Sequence, residues 1–293
     1  MSDASAQVRY RDIVENVEQL PAFPAVVTRL VEVINSPDSS ADDAAALIEM
    51  DPALTGKMLR IANSAFYGMS RSISSVSSAV VILGFNTIRT LVLSASLVGV
   101  FGKESGNPRF DLERFWLHSI TCALCCRALV RPLLHTRMMD PESAFCAGLL
   151  HDVGKLVFNQ FADNDYGRVC ESATTGRVPL LDAERAILGS DHARLGRVIA
   201  DKWGLPLDLE HCMVHHHAPN ESEVARDLVT VVHIADWMAH GFDAAVMEGE
   251  LLPQLGSHAL QTLSLTEQQL EQVRESVRGN VGLSHEFLTI ISG

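Results

Sequence analysis

The chain has 293 residues, 47% of them apolar and 20% charged, a length and composition that exclude a disordered polypeptide. Its formal net charge is −13, and residues 151–293 alone hold 10 basic and 21 acidic side chains. Because a field of this sign repels nucleic acid and anionic lipid, neither is expected as a partner.

Two further features of the sequence bear on its location. No apolar run approaches the roughly 18 residues that a membrane helix needs. The opening residues, MSDASAQVRYRD, are too polar for a secretory signal. The sequence therefore predicts a cytoplasmic protein that does not enter a membrane.

Helix signals follow one another along the chain, and no set of alternating strands accompanies them. Early in the chain, Ser39 or Ser40 can cap ADDAAALIEM, Pro52 can open the next helix, and Gly84 can end SSAVVILG. Later signals are an Asp111 cap, a helix that opens at Pro141 and runs through ESAFCAGLLHDVGKLVFNQF, an Asp191 cap with a Gly204 stop, and a Thr266–Gln269 capping box. The predicted fold class is all-α.

A shift in composition at residues 102–108 (GKESGNP) predicts a linker. It separates an N-terminal helical segment, residues 1–104, from a second helical segment, residues 105–240. Residues 241–293 contain fewer apolar side chains and are predicted to form a C-terminal helical extension.

Histidine is the most informative residue type, because all twelve histidines lie at or beyond position 118. His151 and Asp152, within GLLHDVGK, offer an imidazole and a carboxylate that can hold one divalent ion, and the carboxylate can bridge to a second. Further ligands could come from other helices of a bundle. The candidates are His118, His192, the adjacent His216 and His217, and Asp236.

The chemistry of these side chains narrows the choice of ion. Imidazoles with carboxylates suit iron, manganese, zinc or nickel better than magnesium or calcium. The cysteines of ITCALCCRALV read as small buried residues of a helix, so a closed thiolate zinc site is not expected. A single histidine on an apolar helix is usually a packed core residue, and for His118 spacing alone favours that interpretation.

Lys155 follows Asp152 by three residues and lies on the same helix face. In a phosphohydrolase it could contact a phosphate oxygen or orient the attacking group. Spacing alone favours a solvent-facing lysine instead.

Several segments carry a resemblance to a known family. GLLHDVGK, then WGLP with a His-His pair and a later HIAD, resemble the HD superfamily of metal-dependent phosphohydrolases. The earlier segments DPAL, ANSAFYG and SSVSSAVVILGFNTIRTLVL resemble the HDOD family, the HD-related output domain of bacterial signalling proteins. The resemblance covers about residues 13–240.

The resemblance implies an N-terminal helical bundle packed on an HD-like helical core. It also implies that His118, His151, Asp152 and Asp236 form the minimal HD metal set. His192, His216 and His217 match the additional ligands of the binuclear HD-GYP subgroup, and Lys155 matches its lysine. The expected cofactor is one or two divalent transition-metal ions, iron or manganese before zinc or nickel.

Two departures from that subgroup count against hydrolysis of cyclic dinucleotides. No GYP follows the histidine pair, and Arg114 stands one turn before His118, where the subgroup commonly has a carboxylate. The first hypothesis is therefore a regulatory signalling protein that acts through contacts with a protein partner and retains a metal site. The alternatives are a phosphohydrolase of a nucleotide or another phosphate ester, with Lys155 and Asp152 as catalytic residues, and a di-iron oxygenase.

Overall fold

The computed structural model describes residues 3–18, 25–36, 38–101, 107–133, 137, 139–242, 246–247 and 249–292. Within these ranges every regular element is helical and there is no strand, which confirms the all-α prediction. Residues 102–106 of the predicted linker lie outside the described residues.

The chain divides into two compact units, each discontinuous in sequence. The first, called here the histidine unit, comprises Met1–Leu20 and Lys103–Gly279, and the second, the N-terminal unit, comprises Pro21–Gly102 and Asn280–Gly293. The predicted division into residues 1–104, 105–240 and 241–293 is a division along the chain, and it stays a prediction.

The N-terminal unit contains six described helices. They are α2 (Ala25–Asn35), α3 (Ala41–Glu49), α4 (Pro52–Ala62), α5 (Val76–Leu83), α6 (Phe85–Phe101) and α17 (Val281–Ser292). The last of these joins the unit from the far end of the chain: Phe287 packs on Phe66 with ring centroids 4.7 Å apart, and Lys57 Nζ donates to the Ile291 carbonyl at 3.0 Å.

The histidine unit contains the other described helices. They are α1 (Asp3–Glu18), α7 (Leu112–Val130), α8 (Pro141–Leu150), α9 (Val153–Phe161), α10 (Asp163–Thr174), α11 (Leu180–Leu188), α12 (His192–Trp203), α13 (Leu207–His215), α14 (Arg226–His240), α15 (Ala259–Leu263) and α16 (Glu267–Arg278). Short 3₁₀ turns lie at Arg131–Leu133 and Pro219–Glu221. Helix α7 is the centre of this unit, because α8, α14 and α16 all pack against it.

Most predicted helix ends are found where the local chemistry places them. Ser40 forms a capping box with Asp43, and Thr266 forms one with Gln269. Gly204 ends α12 with φ +61°, a left-handed conformation that glycine adopts without the steric cost of a Cβ. Helix α6 begins at Phe85, directly after the Gly84 that ends α5.

The helix predicted to run from Pro141 through FNQF is interrupted at the His-Asp pair. Helix α8 ends at Leu150, and α9 begins at Val153 after Asp152, whose φ and ψ of −102° and 7° are not helical. The break places His151 and Asp152 at a corner between two helices.

In the part of the chain that the structure describes, no single helix is long and apolar enough to cross a membrane. Helices α5 and α6 together have the length and apolar composition of a membrane span, but the pair is bent by 119°.

Candidate metal centre

Five segments of the histidine unit bring the predicted ligands to one buried place. His118 lies in the middle of α7, His151 and Asp152 at the α8–α9 corner, His192 at the first residue of α12, His216 and His217 directly after α13, and Asp236 on α14. All of them are buried except His217, which is partly exposed.

Two glycines of the GLLHDVGK region allow these segments to meet. A Cβ on Gly148 would lie 2.8 Å from the Ala123 Cα of α7, and a Cβ on Gly154 would lie 2.1 Å from the His192 carbonyl oxygen. Neither distance is tolerable between non-bonded atoms. The absent side chains therefore let α8 approach α7 and let α9 approach the start of α12.

The first ligand set is His118, His151, Asp152 and Asp236. His118 Nε2 lies 3.2 Å from Asp236 Oδ1 and 3.6 Å from Asp152 Oδ2. His151 Nε2 lies 3.3 Å from Asp152 Oδ2 and 3.7 Å from Asp236 Oδ1. Two imidazoles and two carboxylates thus point at one centre.

The second ligand set is Asp152, His192, His216 and His217. Asp152 Oδ1 lies 3.2 Å from His192 Nε2 and 3.5 Å from His216 Nε2. His192 Nε2 lies 2.9 Å from His217 Nε2. Asp152 belongs to both sets, because its Oδ2 faces the first and its Oδ1 faces the second.

Asp152 stands at the N-cap of α9 but does not cap it. An aspartate in this position ordinarily accepts a hydrogen bond from a backbone N–H of the first turn. Asp152 has no such bond, and its carboxylate points at the histidines instead. The helix therefore gives up a local stabilising contact at the residue that joins the two sets.

The hydrogen bonds of two histidines fix which ring nitrogen faces the centre. His151 Nδ1 contacts the Gly148 carbonyl at 2.7 Å, and His216 Nδ1 contacts the Met213 carbonyl at 3.0 Å. A carbonyl oxygen only accepts, so Nδ1 carries the proton in both rings. The buried Nε2 atoms, which have no hydrogen bond of normal geometry, are left to face the carboxylates.

Burial and charge set the protonation states within the cluster. Burial lowers the pKa of His118 to about 4 and also lowers the pKa values of His216 and His217. Burial opposes ionisation of Asp152, but the His151 and Lys155 charges outweigh it and hold the Asp152 pKa below its usual range. His118, His216 and His217 are therefore neutral beside an ionised carboxylate, as metal ligation requires. At His151 the Asp152 charge outweighs burial and raises the pKa, so an ion bound there displaces a proton.

These residues fit a divalent ion in each set. Two ligand atoms that each lie about 2.0–2.2 Å from one ion are about 2.8–3.6 Å apart at octahedral or tetrahedral angles. The N···O distances of 3.2–3.7 Å within the two sets fall in or close to this range. A neutral imidazole whose lone pair faces a carboxylate is repelled unless a cation lies between them.

Glu184 of α11 is a partner of the cluster that the sequence did not reveal. It is fully buried, and its Oε2 accepts from His192 Nδ1 at 2.7 Å and from the His192 backbone N–H at 2.9 Å. The Tyr166 hydroxyl donates to its Oε1 at 3.4 Å. Although burial lowers the pKa of His192, the Glu184 charge outweighs this and raises it to about 9.

Lys155 does not face solvent as spacing alone suggested. Its side chain is 3% exposed, and Nζ lies 2.7 Å from Asp152 Oδ2. Burial lowers its pKa, but the Asp152 charge outweighs burial and raises the pKa above its usual value. The ammonium group therefore stays charged, and it neutralises part of the carboxylate charge that the two sets share.

His240, which is not among the predicted ligands, also lies at the cluster. Its Nδ1 is 3.3 Å from Asp236 Oδ1 and 2.9 Å from the Asp236 carbonyl, and its ring centroid is 4.7 Å from that of His118. Its position one turn after Asp236 on α14 is a signal that sequence inspection can use. His233 is structural, since Nδ1 contacts the His216 carbonyl at 2.7 Å and Nε2 accepts from the Gly256 N–H at 2.9 Å.

A pocket of about 530 Å³ opens onto the cluster. Its wall includes Lys155, His192, His217, Asp236 and His240, together with a segment from Glu250 to Gln254 that is here called the strap. Burial raises the pKa of Glu250, whose Oε2 is buried without a hydrogen bond of normal geometry. The pocket therefore reaches the edge of the cluster, at His192, His217 and Asp236.

An all-helical unit with histidines and aspartates from five segments around one buried centre defines a class of helical proteins with an HD-type site. The HDOD domain family model matches residues 20–219, about two thirds of the chain. The protein belongs to the HDOD family. A curated relative from Treponema pallidum (strain Nichols), named "Uncharacterized protein", is 26% identical over 227 residues, which are 76% of this chain and 43% of the relative. This chain thus spans less than half of that relative's length.

Two solved structures share the fold. A protein of Shewanella amazonensis SB2B named "Putative phosphohydrolase" is 24% identical with a TM-score of 0.75, over 96% of this chain and 98% of that one. A protein of Marinobacter aquaeolei VT8 named "Putative signal transduction protein" is 19% identical with a TM-score of 0.79, over 99% of this chain and 66% of that one. Similarity at this level of identity establishes the fold alone.

Proposed function

We propose that this protein is a regulatory HDOD protein of bacterial signal transduction that acts through contacts with a protein partner. Its histidine unit holds a divalent-metal centre with two ions, which Asp152 bridges. The main support for the metal centre is that the two oxygens of Asp152 face different histidines. Oδ2 lies towards His118 and His151, and Oδ1 lies towards His192 and His216.

The donor set favours iron or manganese, with zinc or nickel as less suited ions. Imidazole nitrogens and carboxylate oxygens supply every contact, and no thiolate takes part. The first set holds two carboxylates and the second holds one. Glu184 orients His192 from outside the ligand set, as carboxylates do for metal-bound histidines in general.

The charge of the pocket supports regulation over hydrolysis. Among the described residues of its wall, Lys155 is the one lysine and there is no arginine, and Lys155 already pairs with Asp152. A phosphate ester would meet Asp236 and Glu250 in the same wall, so its charge is poorly offset by protein groups.

Contact with a protein partner is supported by apolar side chains on the N-terminal unit. Val81 and Ile82 of α5 are 72% and 55% exposed, and Met50 after α3 is 67% exposed. Val81 and Ile82 are adjacent, and a contiguous exposed apolar patch is typical of surfaces that bind other proteins. A relative in fold named for signal transduction agrees with this role.

The second candidate function is hydrolysis of a nucleotide or another phosphate ester, and the 530 Å³ pocket over the cluster favours it. A divalent ion would supply Lewis acidity and an activated water. Lys155 would then hold a phosphoryl oxygen at the pocket floor, and Asp152 would keep the two ligand sets together. A relative in fold named as a phosphohydrolase agrees with this alternative.

One experiment separates the two functions. The purified protein is reconstituted anaerobically with Fe(II) or Mn(II), its bound metal is counted, and it is then offered bis-p-nitrophenyl phosphate, mononucleotides and cyclic dinucleotides. The regulatory proposal expects two ions per chain and no turnover above that of Asp152→Ala. Turnover that depends on metal and falls in Lys155→Met, but not in the partly exposed control Lys202→Met, would establish the hydrolase instead. Fewer than two ions would contradict the two-ion centre.

A further inference from the structure

A second pocket of the histidine unit lies beside the metal centre and takes no part in it. Its volume is about 300 Å³. Its wall includes Trp237, Phe242, Leu252, Glu271, Arg274 and Arg278. The volume is at the lower end of small-molecule sites, which span about 300–1,000 Å³, and suits one small ligand.

Two arginines on one face of α16 give this pocket its charge. Arg274 and Arg278 are four residues apart, so their side chains are neighbours on the helix surface. They are two of only ten basic residues in the segment 151–293, whose acidic residues number 21. Among the described residues of the pocket wall these two arginines face one carboxylate, Glu271, so the wall carries a net positive charge that attracts anions.

Arg274 is held in place before any ligand arrives. Its guanidinium carbon lies 4.7 Å from the centroid of the Trp237 ring, and Nη1 lies 3.3 Å from Glu271 Oε2. A guanidinium has five N–H donors, and a single contact with Glu271 leaves donors available for an anion. Stacking on the indole reduces the entropy that Arg274 loses on binding.

The remaining wall is apolar and includes aromatic rings. Phe242 and Trp237 are half-buried, and Leu252 is 61% exposed. Such a surface favours a flat, weakly polar ring, whereas a bare inorganic anion would gain nothing from it. The two halves of the pocket therefore suit a ligand with an anionic head and a planar ring.

We propose that this pocket binds a small organic anion that joins a phosphate to a planar ring, of the mononucleotide class. The anionic head contacts Arg274 and Arg278, and the ring lies against Phe242 and Leu252. This proposal does not depend on the metal centre. The ligand would lie next to that centre, because Leu252 belongs to both pockets and Trp237 directly follows Asp236.

The test uses residues 1–293, stripped of metal, in a buffer without phosphate, with guanosine 5′-monophosphate as the probe. Calorimetry is expected to give saturable binding. A parallel change in tryptophan fluorescence would report Trp237, because Trp116 and Trp203 are only 2% and 5% exposed. Inorganic phosphate is expected to bind more weakly than the nucleotide.

Variants locate the binding. Arg278→Gln is expected to raise Kd by about tenfold or more, since loss of a charged hydrogen-bond partner typically costs about 1.5–3 kcal/mol. Arg168→Gln is the matched control, because Arg168 is an exposed arginine that pairs with Asp165 on α10. This control and Asp152→Ala are expected to keep the wild-type Kd.

Three results would overturn the proposal. The first is no saturable binding of the nucleotide, and the second is an unchanged Kd in Arg278→Gln. The third is loss of binding in Asp152→Ala with retention in Arg278→Gln, which would put the nucleotide in the metal pocket. Inorganic phosphate binding as tightly as the nucleotide would refute the part assigned to the ring.

Discussion

Two aspartates, one in each unit, each stand at the N-cap of a helix, but only one of them caps its helix. Asp51 of the N-terminal unit caps α4, and its Oδ1 accepts from the Ala53 and Leu54 N–H groups at 2.9 and 3.1 Å. Asp152 of the histidine unit precedes α9 and caps nothing. The first carboxylate stabilises its own helix, while the second is free to serve a site built from distant segments.

The same contrast extends to the polar residues around these aspartates. Asp51 lies at a partly exposed helix end, where its bonds are local. Asp152 is 1% exposed and shares its surroundings with a buried lysine and four imidazoles. Burial of so many ionisable groups is costly, so the fold retains them for a purpose other than stability.

The largest effect is expected from substituting Gly154, which lies at the contact between α9 and α12. Gly154→Ala places a Cβ 2.1 Å from the His192 carbonyl oxygen, so α9 and α12 must separate. Overpacking of this kind typically costs about 1–3 kcal/mol. We expect a lower free energy of unfolding in urea and loss of metal from the second ligand set. Wild-type stability together with full metal content would show that the close approach is not needed.

Substitution of Glu184 tests whether support from outside the ligand set matters. Glu184→Gln keeps the shape of the side chain but removes the charge that faces His192 Nδ1. Loss of such a partner typically weakens metal affinity about 10- to 100-fold. The affinity would be measured by competition with a chelator. Glu171→Gln, an exposed site paired with Arg109, is the control and should bind metal as the wild type does.

The stability of the metal-free protein is expected to depend on pH through the buried His118. Burial lowers the pKa of His118 to about 4, whereas an unperturbed histidine has a pKa of about 6.5. Between these values the unfolded chain takes up a proton that the folded state does not, so stability falls as the pH drops from 6.5 towards 4. One such group contributes at most about 1.4 kcal/mol per pH unit.

Urea unfolding at several pH values within that window measures the slope. His118→Gln should flatten it, and His285→Gln, an exposed histidine of α17, should leave it unchanged. An identical slope in His118→Gln would mean that His118 takes up its proton in the folded state as readily as in the unfolded chain.

The smallest effect is expected in the N-terminal unit, where alanine replaces a glycine with no close neighbour. A Cβ on Gly56, inside α4, meets no atom within 4 Å. Gly56→Ala should therefore raise the free energy of unfolding by about 0.5–1 kcal/mol, because glycine loses more backbone entropy in a helix. A lower free energy of unfolding in Gly56→Ala would contradict the account, since it would show that alanine is also unfavourable at a glycine without close neighbours.

Local signals account for what the sequence predicted correctly about the fold. Caps such as Ser40 and Thr266 and the Gly204 stop are found as predicted, because they depend on neighbours within four residues. The break at His151–Asp152 was missed, since the surrounding apolar residues have helical spacing and hide a corner that only tertiary contacts stabilise.

In the candidate site, too, contacts between distant segments could not be predicted from the sequence. The histidine bias and the His-Asp pair pointed to the region in which the structure brings the seven predicted ligands together. Glu184 carried no signal, because its contact with His192 arises from the packing of α11 against the start of α12. Burial of Lys155 likewise depends on segments far away in the chain, such as the strap.

The central claim is that Asp152 joins two metal ions, and metal counting tests it most directly. The wild type, Asp152→Ala and the exposed control Asp201→Ala would each be reconstituted anaerobically with Fe(II) or Mn(II), desalted and measured by inductively coupled plasma mass spectrometry. The account predicts two ions per chain in the wild type and in Asp201→Ala, and none in Asp152→Ala. At most one ion in the wild type, or full occupancy in Asp152→Ala, would contradict it.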